Sequence, residues 1–135
     1  IFRILVVIIL IHNIDFAKRR MDSRYKPGGW ENNYFTENIS AFNEISPYLR
    51  TIGIDEDDRV ISISDNSINS TLYLMSQKGW TNYGIRSDSL NIRKRIEMGA
   101  KYLLINDPDS YENENIKPFL RNKIGEFEHI EIYKL

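Results

Sequence analysis

The stretch from Arg59 to Trp80, RVISISDNSINSTLYLMSQKGW, constrains the fold most strongly. Its first part contains the β-branched residues Val60, Ile61 and Ile63 in a short run, which favours a buried strand. Polar turn residues follow at once, and a helical pattern begins directly after them. A strand that leads into a helix through a short loop is the first half of a parallel βαβ unit.

The second part of this stretch has the apolar spacing of a helix. Ile68, Leu72 and Met75 recur at helical intervals, and Tyr73 widens the apolar stripe. Gly79 stands where a helix would end on a left-handed residue, so we predict it to be the C-cap.

The remaining periodic segments extend this pattern. They predict helices over Glu37–Ile52, Ser87–Gly99 and Ser110–Ile124, and strands over Thr81–Ile85, Lys101–Asn106 and Phe127–Leu135. Ser87 is the expected cap of its helix, and Pro47 is expected to kink the first helix or restart it with Ser46 as the cap. We therefore predict an α/β fold with a small open sheet, mostly parallel, Rossmann-like and three-layered, covered by helices. The terminal strand is expected near a sheet edge.

The apolar run Ile4–Ile11, ILVVIILI, is too short to span a bilayer, which needs about 20 apolar residues. Three interpretations remain open at this stage. The first is a buried strand. The second is the far end of a transmembrane helix that is cut by the fragment boundary, and the third is the apolar part of a signal peptide. The chain begins with Ile1 and not Met, and we expect it to be a fragment of a longer protein.

A basic cluster, Lys18 to Arg24, follows the apolar run and suits either a membrane surface or a solvated helix end. Beside a membrane span, it would favour the cytoplasmic side. We divide the chain into an apolar or transmembrane segment with its basic flank (1–24), a linker (25–36) and a soluble α/β domain (37–135). The linker is predicted from Pro27, Gly28 and Gly29.

Composition excludes several classes of function. The net charge of −1 argues against a nucleic-acid partner. Cysteine is absent, and His12 and His129 do not have the spacing of metal ligands, so no metal is predicted. The glycine-rich loops that hold dinucleotides or triphosphates are missing as well, and no cofactor is predicted. No catalytic residue can be assigned, because the many acids give no preferred pair.

Candidate ligand contacts come from one turn and from three aromatic residues. The carboxyl ends of parallel strands are the usual ligand edge of an open α/β sheet. The candidates are Asp65, Asn66, Ser67, Trp30, Trp80 and Tyr83. Asp65 has a second interpretation, because an aspartate at this position also caps a helix by accepting hydrogen bonds from backbone amides.

The helix after Ser87 is the most basic of the chain, with Arg86, Arg93, Lys94 and Arg95. Its side chains suit contact with a phosphate or an anionic lipid. A solvated face is the alternative.

Three runs together resemble a known domain: Ser46–Ile54, Asp58–Thr81 and Gly99–Asp107. They resemble the C-terminal soluble domain of bacterial multi-pass membrane glycosyltransferases of the protein mannosyltransferase and aminoarabinose transferase type. The resemblance covers about residues 37–135 and includes no catalytic motif.

This resemblance implies a parent enzyme that uses a lipid-phosphate-linked sugar, with its catalytic acids in upstream membrane loops. It implies that Ile1–Ile11 ends the last transmembrane helix and that the soluble domain lies outside the cytoplasmic membrane. The chain is then a non-catalytic accessory domain that meets the membrane, the lipid-linked sugar or an acceptor. The alternative is a stand-alone soluble α/β module that binds a ligand or a protein, with Ile4–Ile11 as a buried strand.

Overall fold

A computed structural model describes residues 2–26, 39–63 and 65–135. The chain divides into two compact units, Ile1–Glu37 and Asn38–Leu135. The predicted linker from residue 27 onward, and Trp30 within it, lie outside the described residues.

The first unit contains one long helix, α1, which runs over Phe2–Tyr25. Ile4–Ile11 is therefore helical, and the interpretation of this run as a buried strand is wrong. The helix continues through the charged residues that follow, where Arg19 pairs with Asp15 one turn away. Among the described residues, no helix has both the length and the hydropathy needed to cross a membrane.

The second unit alternates helices and strands. Its helices are a 3-10 turn at Ser40–Asn43, α2 (Ile45–Thr51), α3 (Ser70–Leu74), α4 (Asn82–Ile85), α5 (Ser89–Glu97), α6 (Pro108–Glu112) and a 3-10 turn at Lys117–Phe119. Its strands are β1 (Arg59–Ile63), β2 (Lys78–Thr81), β3 (Ala100–Ile105), β4 (Lys123–Phe127) and β5 (Ile130–Lys134). The predicted α/β class is confirmed.

The five strands form one open sheet in the order β2-β1-β3-β5-β4. β1 pairs in parallel with both β2 and β3. β5 is antiparallel to β3 and to β4, so four of the five strands run in the same direction. The terminal strand was expected near an edge, and β5 lies next to the edge strand β4, paired on both sides. The hairpin turn after β4 returns the chain into the sheet and leaves β4 as the edge.

Successive residues of the central strands point to opposite faces of the sheet, and both faces are covered. Val60 and Leu104 pack with the first 3-10 turn, α2 and α3, where Phe42 is fully buried. Ile61 and Leu103 pack on the other face with α4, α5 and the segment that follows α6. This gives the three layers that the pattern predicts.

Gly79 is not a helix C-cap, as was predicted, but a residue of β2 opposite Val60. α3 ends earlier, at Leu74, and Ser76 adopts the left-handed conformation with φ of 50°. A Cβ atom on Gly79 would lie 1.9 Å from the carbonyl oxygen of Val60. Only glycine therefore allows the two strands to approach this closely.

The early end of α3 also moves the second strand. The prediction placed it at Thr81–Ile85, but Lys78–Thr81 form the strand and Asn82–Ile85 form α4. Ser87 was predicted to cap the next helix, whereas the side chain of Asp88 accepts the hydrogen bond from the amide of Leu90.

Two predicted helices are shorter than expected because of polar residues and prolines. The first is interrupted at Glu44, and α2 then carries Pro47 in its first turn, where a missing N–H costs little. Ser46 is not the cap, because its hydroxyl donates to the carbonyl of Met75.

The last predicted helix, Ser110–Ile124, is also wrong in its length. α6 ends at Glu112, and the Asn113 side chain then accepts from the amide of Asn115, which offers the backbone a turn in place of a helix. Ile124 belongs to β4.

Candidate functional site

Asp65 lies at the carboxyl end of β1 and is almost completely buried. Its Oδ1 accepts from the amide of Ser67 at 2.8 Å, and its Oδ2 accepts from the amide of Thr71 at 2.7 Å. The hydroxyl of Thr71 donates to the same Oδ2 at 2.8 Å and lies 2.9 Å from the hydroxyl oxygen of Ser62. The carboxylate thus performs the capping chemistry at the start of α3 and holds the loop closed.

Asn66 and Ser67 connect this loop to the next corner of the chain. Oδ1 of the exposed Asn66 accepts from the side-chain amide of Asn82 at 3.0 Å. Ser67 Oγ accepts from the amide of Ser70, and its carbonyl accepts from the hydroxyl of Thr81. The predicted turn, Asp65–Ser67, therefore links the end of β1 to the end of β2 through hydrogen bonds.

The two aromatic candidates among the described residues, Trp80 and Tyr83, lie on β2 and α4. Trp80 is half-buried in β2, where it packs against the core of the second face. Tyr83 on α4 is 60% exposed and is available to a partner. Trp30 lies outside the described residues.

The carboxyl end of β3 is organised in the same way. Asn106 is buried directly after the strand. Asp107 caps α6, because its Oδ1 accepts from the amide of Asp109 and its Oδ2 from the hydroxyl of Ser110. Asp107, like Asp65, therefore supports a helix start, and the exposed Asp109 is the acid left facing solvent at this edge.

A groove that the sequence did not predict lies between α3, the start of β2 and the acidic loop before β1. Its volume is about 640 Å³. Its lining is Glu56, Asp57, Asn69, Leu72, Tyr73, Ser76, Gln77, Lys78 and Gly79. The sequence pattern assigned Tyr73 to the apolar stripe of the helix, but its side chain is 79% exposed. Tyr73 lies within α3, but the buried residues of this helix are Thr71 and Leu72, so Tyr73 stands on its exposed side.

One charged pair lines this groove, and a second involves the next residue of the acidic loop. Lys78 Nζ lies 2.5 Å from Asp57 Oδ1, and Lys101 Nζ lies 2.6 Å from Asp58 Oδ1. Hydrogen bonds from these lysines lower the pKa of both carboxyls below the ordinary value of aspartate. Both carboxylates therefore remain ionised across the neutral range.

Gln77 holds the floor of the groove in place. Its Nε2 donates to the carbonyls of Asp55 and Asp58, each at 2.6 Å, and its Oε1 accepts from Arg50 at 3.0 Å. The acidic loop, Asp55–Asp58, therefore has a hydrogen-bond partner within the protein. It is bound to the start of β2 by a buried amide.

A second polar cluster lies on the β4–β5 hairpin. Glu131 accepts from Lys123 and from the hydroxyl of Tyr133. Burial disfavours the ionised form of Glu131, but hydrogen bonds from Lys123, Tyr133 and Tyr111 outweigh it and lower the pKa. Burial and the hydrogen bond to Glu131 raise the pKa of Tyr133 to about 12. The polar groups of this cluster form hydrogen bonds with one another, and Tyr111 links α6 to the sheet through Glu131.

Within the described ranges, no group of three His, Asp or Glu side chains is placed to hold a metal ion. Comparisons with family models, with curated proteins and with solved structures gave no match. The described residues thus contain three candidate contact surfaces. They are the turn Asp65–Ser67, the polar groove beside α3 and the exposed Tyr83.

Proposed function

We propose that this chain is a non-catalytic accessory part of a bacterial membrane glycosyltransferase that uses a lipid-linked sugar. The proposal follows the resemblance of residues 37–135 to the soluble domain of such enzymes. The observation that carries it is the exposed apolar run at the start of α1, which needs apolar surroundings outside its own helix.

Every residue of Ile4–Ile11 is large and apolar, and their exposed fractions lie between 39% and 65%. A helix that is apolar all round belongs in a protein interior or in lipid. The eight residues rise about 12 Å, which is less than half of a hydrocarbon core of about 30 Å. We therefore assign to this run the role of entering the membrane as one part of a longer apolar segment of the parent enzyme.

The second half of α1 supports a position at the membrane surface. Lys18, Arg20 and Arg24 lie beyond the apolar run on the same helix, together with the Arg19–Asp15 pair. Basic residues beside an apolar segment are attracted to anionic headgroups. The resemblance places the sheet unit outside the cytoplasmic membrane, whereas the basic flank favours the inner side, so the membrane side is a direct test of the proposal.

The sheet unit would seat an acceptor or pack over the catalytic loops of the membrane part. Asp65 and Asp107 are committed to helix starts, which supports a binding role over an acid-base role. The exposed Tyr83 and Tyr73 are the aromatic contacts that such a surface would use.

The first test is the size and location of the native protein. An antibody raised against residues 39–135 should detect a membrane-bound band several times larger than a 135-residue chain in fractionated source cells. A soluble band of the chain's own size would contradict the proposal. The purified chain itself should show no glycosyl transfer from a lipid-linked sugar, and transfer would disprove the non-catalytic role.

A second test concerns α1 alone. The triple variant Ile4→Gln/Ile8→Gln/Ile11→Gln should lose co-flotation with phosphatidylcholine vesicles. The matched control is Ile68→Gln, which changes a residue that is 72% exposed in the sheet unit. The control should float like the unaltered chain, and equal behaviour of the two variants would reject a membrane role for α1.

The groove favours a second candidate function, a stand-alone module that binds a polar ligand. Its mixed lining of carboxylates, amides and one exposed tyrosine suits a hydroxyl-rich molecule such as a sugar. Saturation-transfer NMR with a panel of monosaccharides should give signals that Tyr73→Ala removes and Tyr83→Ala retains. A soluble native band combined with this result would favour the second candidate.

A further inference from the structure

Two arginine side chains lie against the indole ring of Trp80. The guanidinium carbon of Arg59, at the start of β1, is 5.9 Å from the ring centroid, and that of Arg95, on α5, is 5.3 Å away. Cations at this distance are attracted by the aromatic face. Because Trp80 is anchored in β2 against the core, both cations pack against one fixed ring.

Neither arginine has an acidic partner within the described part of the chain. Asp58, the sequence neighbour of Arg59, pairs with Lys101. Glu97 lies two residues beyond Arg95, and residues at this spacing do not face each other on a helix. Two cations that share one ring and have no carboxylate partner there favour the binding of an anion.

The two guanidinium groups are oriented by one residue, Met98. Arg59 Nη1 donates to its carbonyl at 2.6 Å, and Arg95 Nη1 contacts its sulfur at 3.2 Å. Each group thus keeps further N–H donors that protein acceptors do not occupy. A planar guanidinium with free donors matches the oxygens of a phosphate.

Two exposed glycines leave the arginine tips uncovered. A Cβ atom on Gly84 would lie 3.7 Å from Arg95 Nη2, and a Cβ atom on Gly99 would lie 3.7 Å from Arg59 Nη1. A larger side chain at either position would extend over the guanidinium. Because neither position carries a side chain, both guanidinium groups remain open to a ligand from solvent.

We propose that Arg59, Trp80 and Arg95 form a binding site for a phosphate group, carried by a lipid headgroup or by free phosphate. The arginines supply the charge and the donors, and Trp80 and Met98 hold them in place. Lys94 on the same helix adds to the local positive field. This site does not depend on the proposed glycosyltransferase role.

Fluorescence of Trp80 reports on this site directly. The variant Trp30→Phe removes the other tryptophan of the chain, so the remaining emission comes from Trp80. Inorganic phosphate should change this emission saturably, and sodium chloride at equal ionic strength should not. Phosphate should also raise the thermal midpoint of the unaltered protein above its value in chloride. The absence of both effects would overturn the proposal without any arginine variant.

The double variant Arg59→Gln/Arg95→Gln, in the same background, should weaken the phosphate response by about ten-fold or more. The matched control Arg121→Gln/Lys134→Gln removes the same charge from two exposed residues that are not among the cations packed on Trp80. It should retain the response within about two-fold. Equal weakening in both variants would attribute the effect to net charge and reject a specific site.

A vesicle titration, followed by the emission of Trp80, distinguishes a lipid headgroup from free phosphate as the source of the phosphate group. Phosphatidylcholine vesicles that contain phosphatidylglycerol should change the emission of Trp80 if the site takes lipid headgroups. A response to inorganic phosphate alone would identify free phosphate or a soluble phosphate ester as the source. Both results support the site. If neither probe acts through Arg59 and Arg95, the site does not exist.

Discussion

The apolar runs of α1 and of β1 contain the same residue types but occupy opposite surroundings. Ile4–Ile11 is helical and more than one third exposed throughout, whereas Val60, Ile61 and Ile63 are at most 1% exposed in a strand. The difference lies in the partners. β1 has a strand on each side and a helical layer on each face, while α1 has no such layer in the described part of its unit. Composition alone therefore does not decide burial or secondary structure.

The largest effect is expected where the sheet is tightest. Gly79→Val places a side chain into the backbone of Val60 and should reduce the free energy of unfolding by about 4 kcal/mol or more. Urea denaturation followed by circular dichroism measures this loss.

Gly53→Ala is the control for backbone conformation without a clash. Gly53 also has a positive φ, of 82°, but a Cβ atom there meets nothing within 4 Å. Its cost should be only about 1 kcal/mol. Equal losses in the two variants would show that conformation, and not the contact with Val60, makes glycine necessary in β2.

The comparison of the two apolar runs is tested by one truncation in each. Ile61→Ala opens a cavity in a fully buried position and should lower the free energy of unfolding by about 3 kcal/mol. Ile8→Ala changes a residue that is 57% exposed and should alter it by less than about 0.5 kcal/mol. A large loss for Ile8→Ala in the absence of lipid would mean that α1 is covered by protein.

The strand-end loop should show an intermediate effect. Asp65→Asn keeps the shape but replaces one acceptor oxygen with a donor that faces the donors of Ser67 or Thr71. We expect a loss of about 2 kcal/mol in thermal or urea unfolding. Asp109→Asn, at an exposed residue after β3, should be nearly neutral. Unchanged stability of Asp65→Asn would leave the carboxylate available for a ligand.

The smallest effect concerns pH. The pKa of Asp58 is lowered mainly by its hydrogen bond from Lys101, so the folded state binds this proton less readily than the unfolded chain. Its contribution is fully present above the unfolded pKa of about 4 and is lost as pH falls through the lower folded pKa. Urea midpoints measured from pH 6 to pH 2 should fall less steeply for Asp58→Asn than for the unaltered protein. Parallel curves would show that this pair does not couple folding to pH.

Much of the fold was predictable from the sequence because the central strands are strongly patterned. β1 and β3 were placed within one or two residues, and the open α/β sheet was identified from their order. The errors follow from local competition. Ser76 took the left-handed conformation that was assigned to Gly79, and Asn113 ended a helix that the apolar spacing of later residues would have continued.

The candidate contacts were harder to predict, because burial and hydrogen-bond partners are tertiary properties. Asp65 was recognised as a cap or a ligand, and only its three donors identify the capping chemistry. The groove joins residues from α3, the start of β2 and the loop before β1, and the cluster around Trp80 joins residues from β1, β2 and α5. No local spacing brings those residues together in a sequence.

The position of β5 affects when the sheet can form during synthesis. β5 is the last strand of this sequence, yet it lies between β3 and β4. Until residues 130–134 have left the ribosome, β3 has an unpaired edge and β4 has no neighbour in the sheet. The sheet therefore closes only after β5 has been translated. In a chain that stops before Ile130, the edge of β3 stays open beside Leu103 and Leu104, and such an edge promotes aggregation.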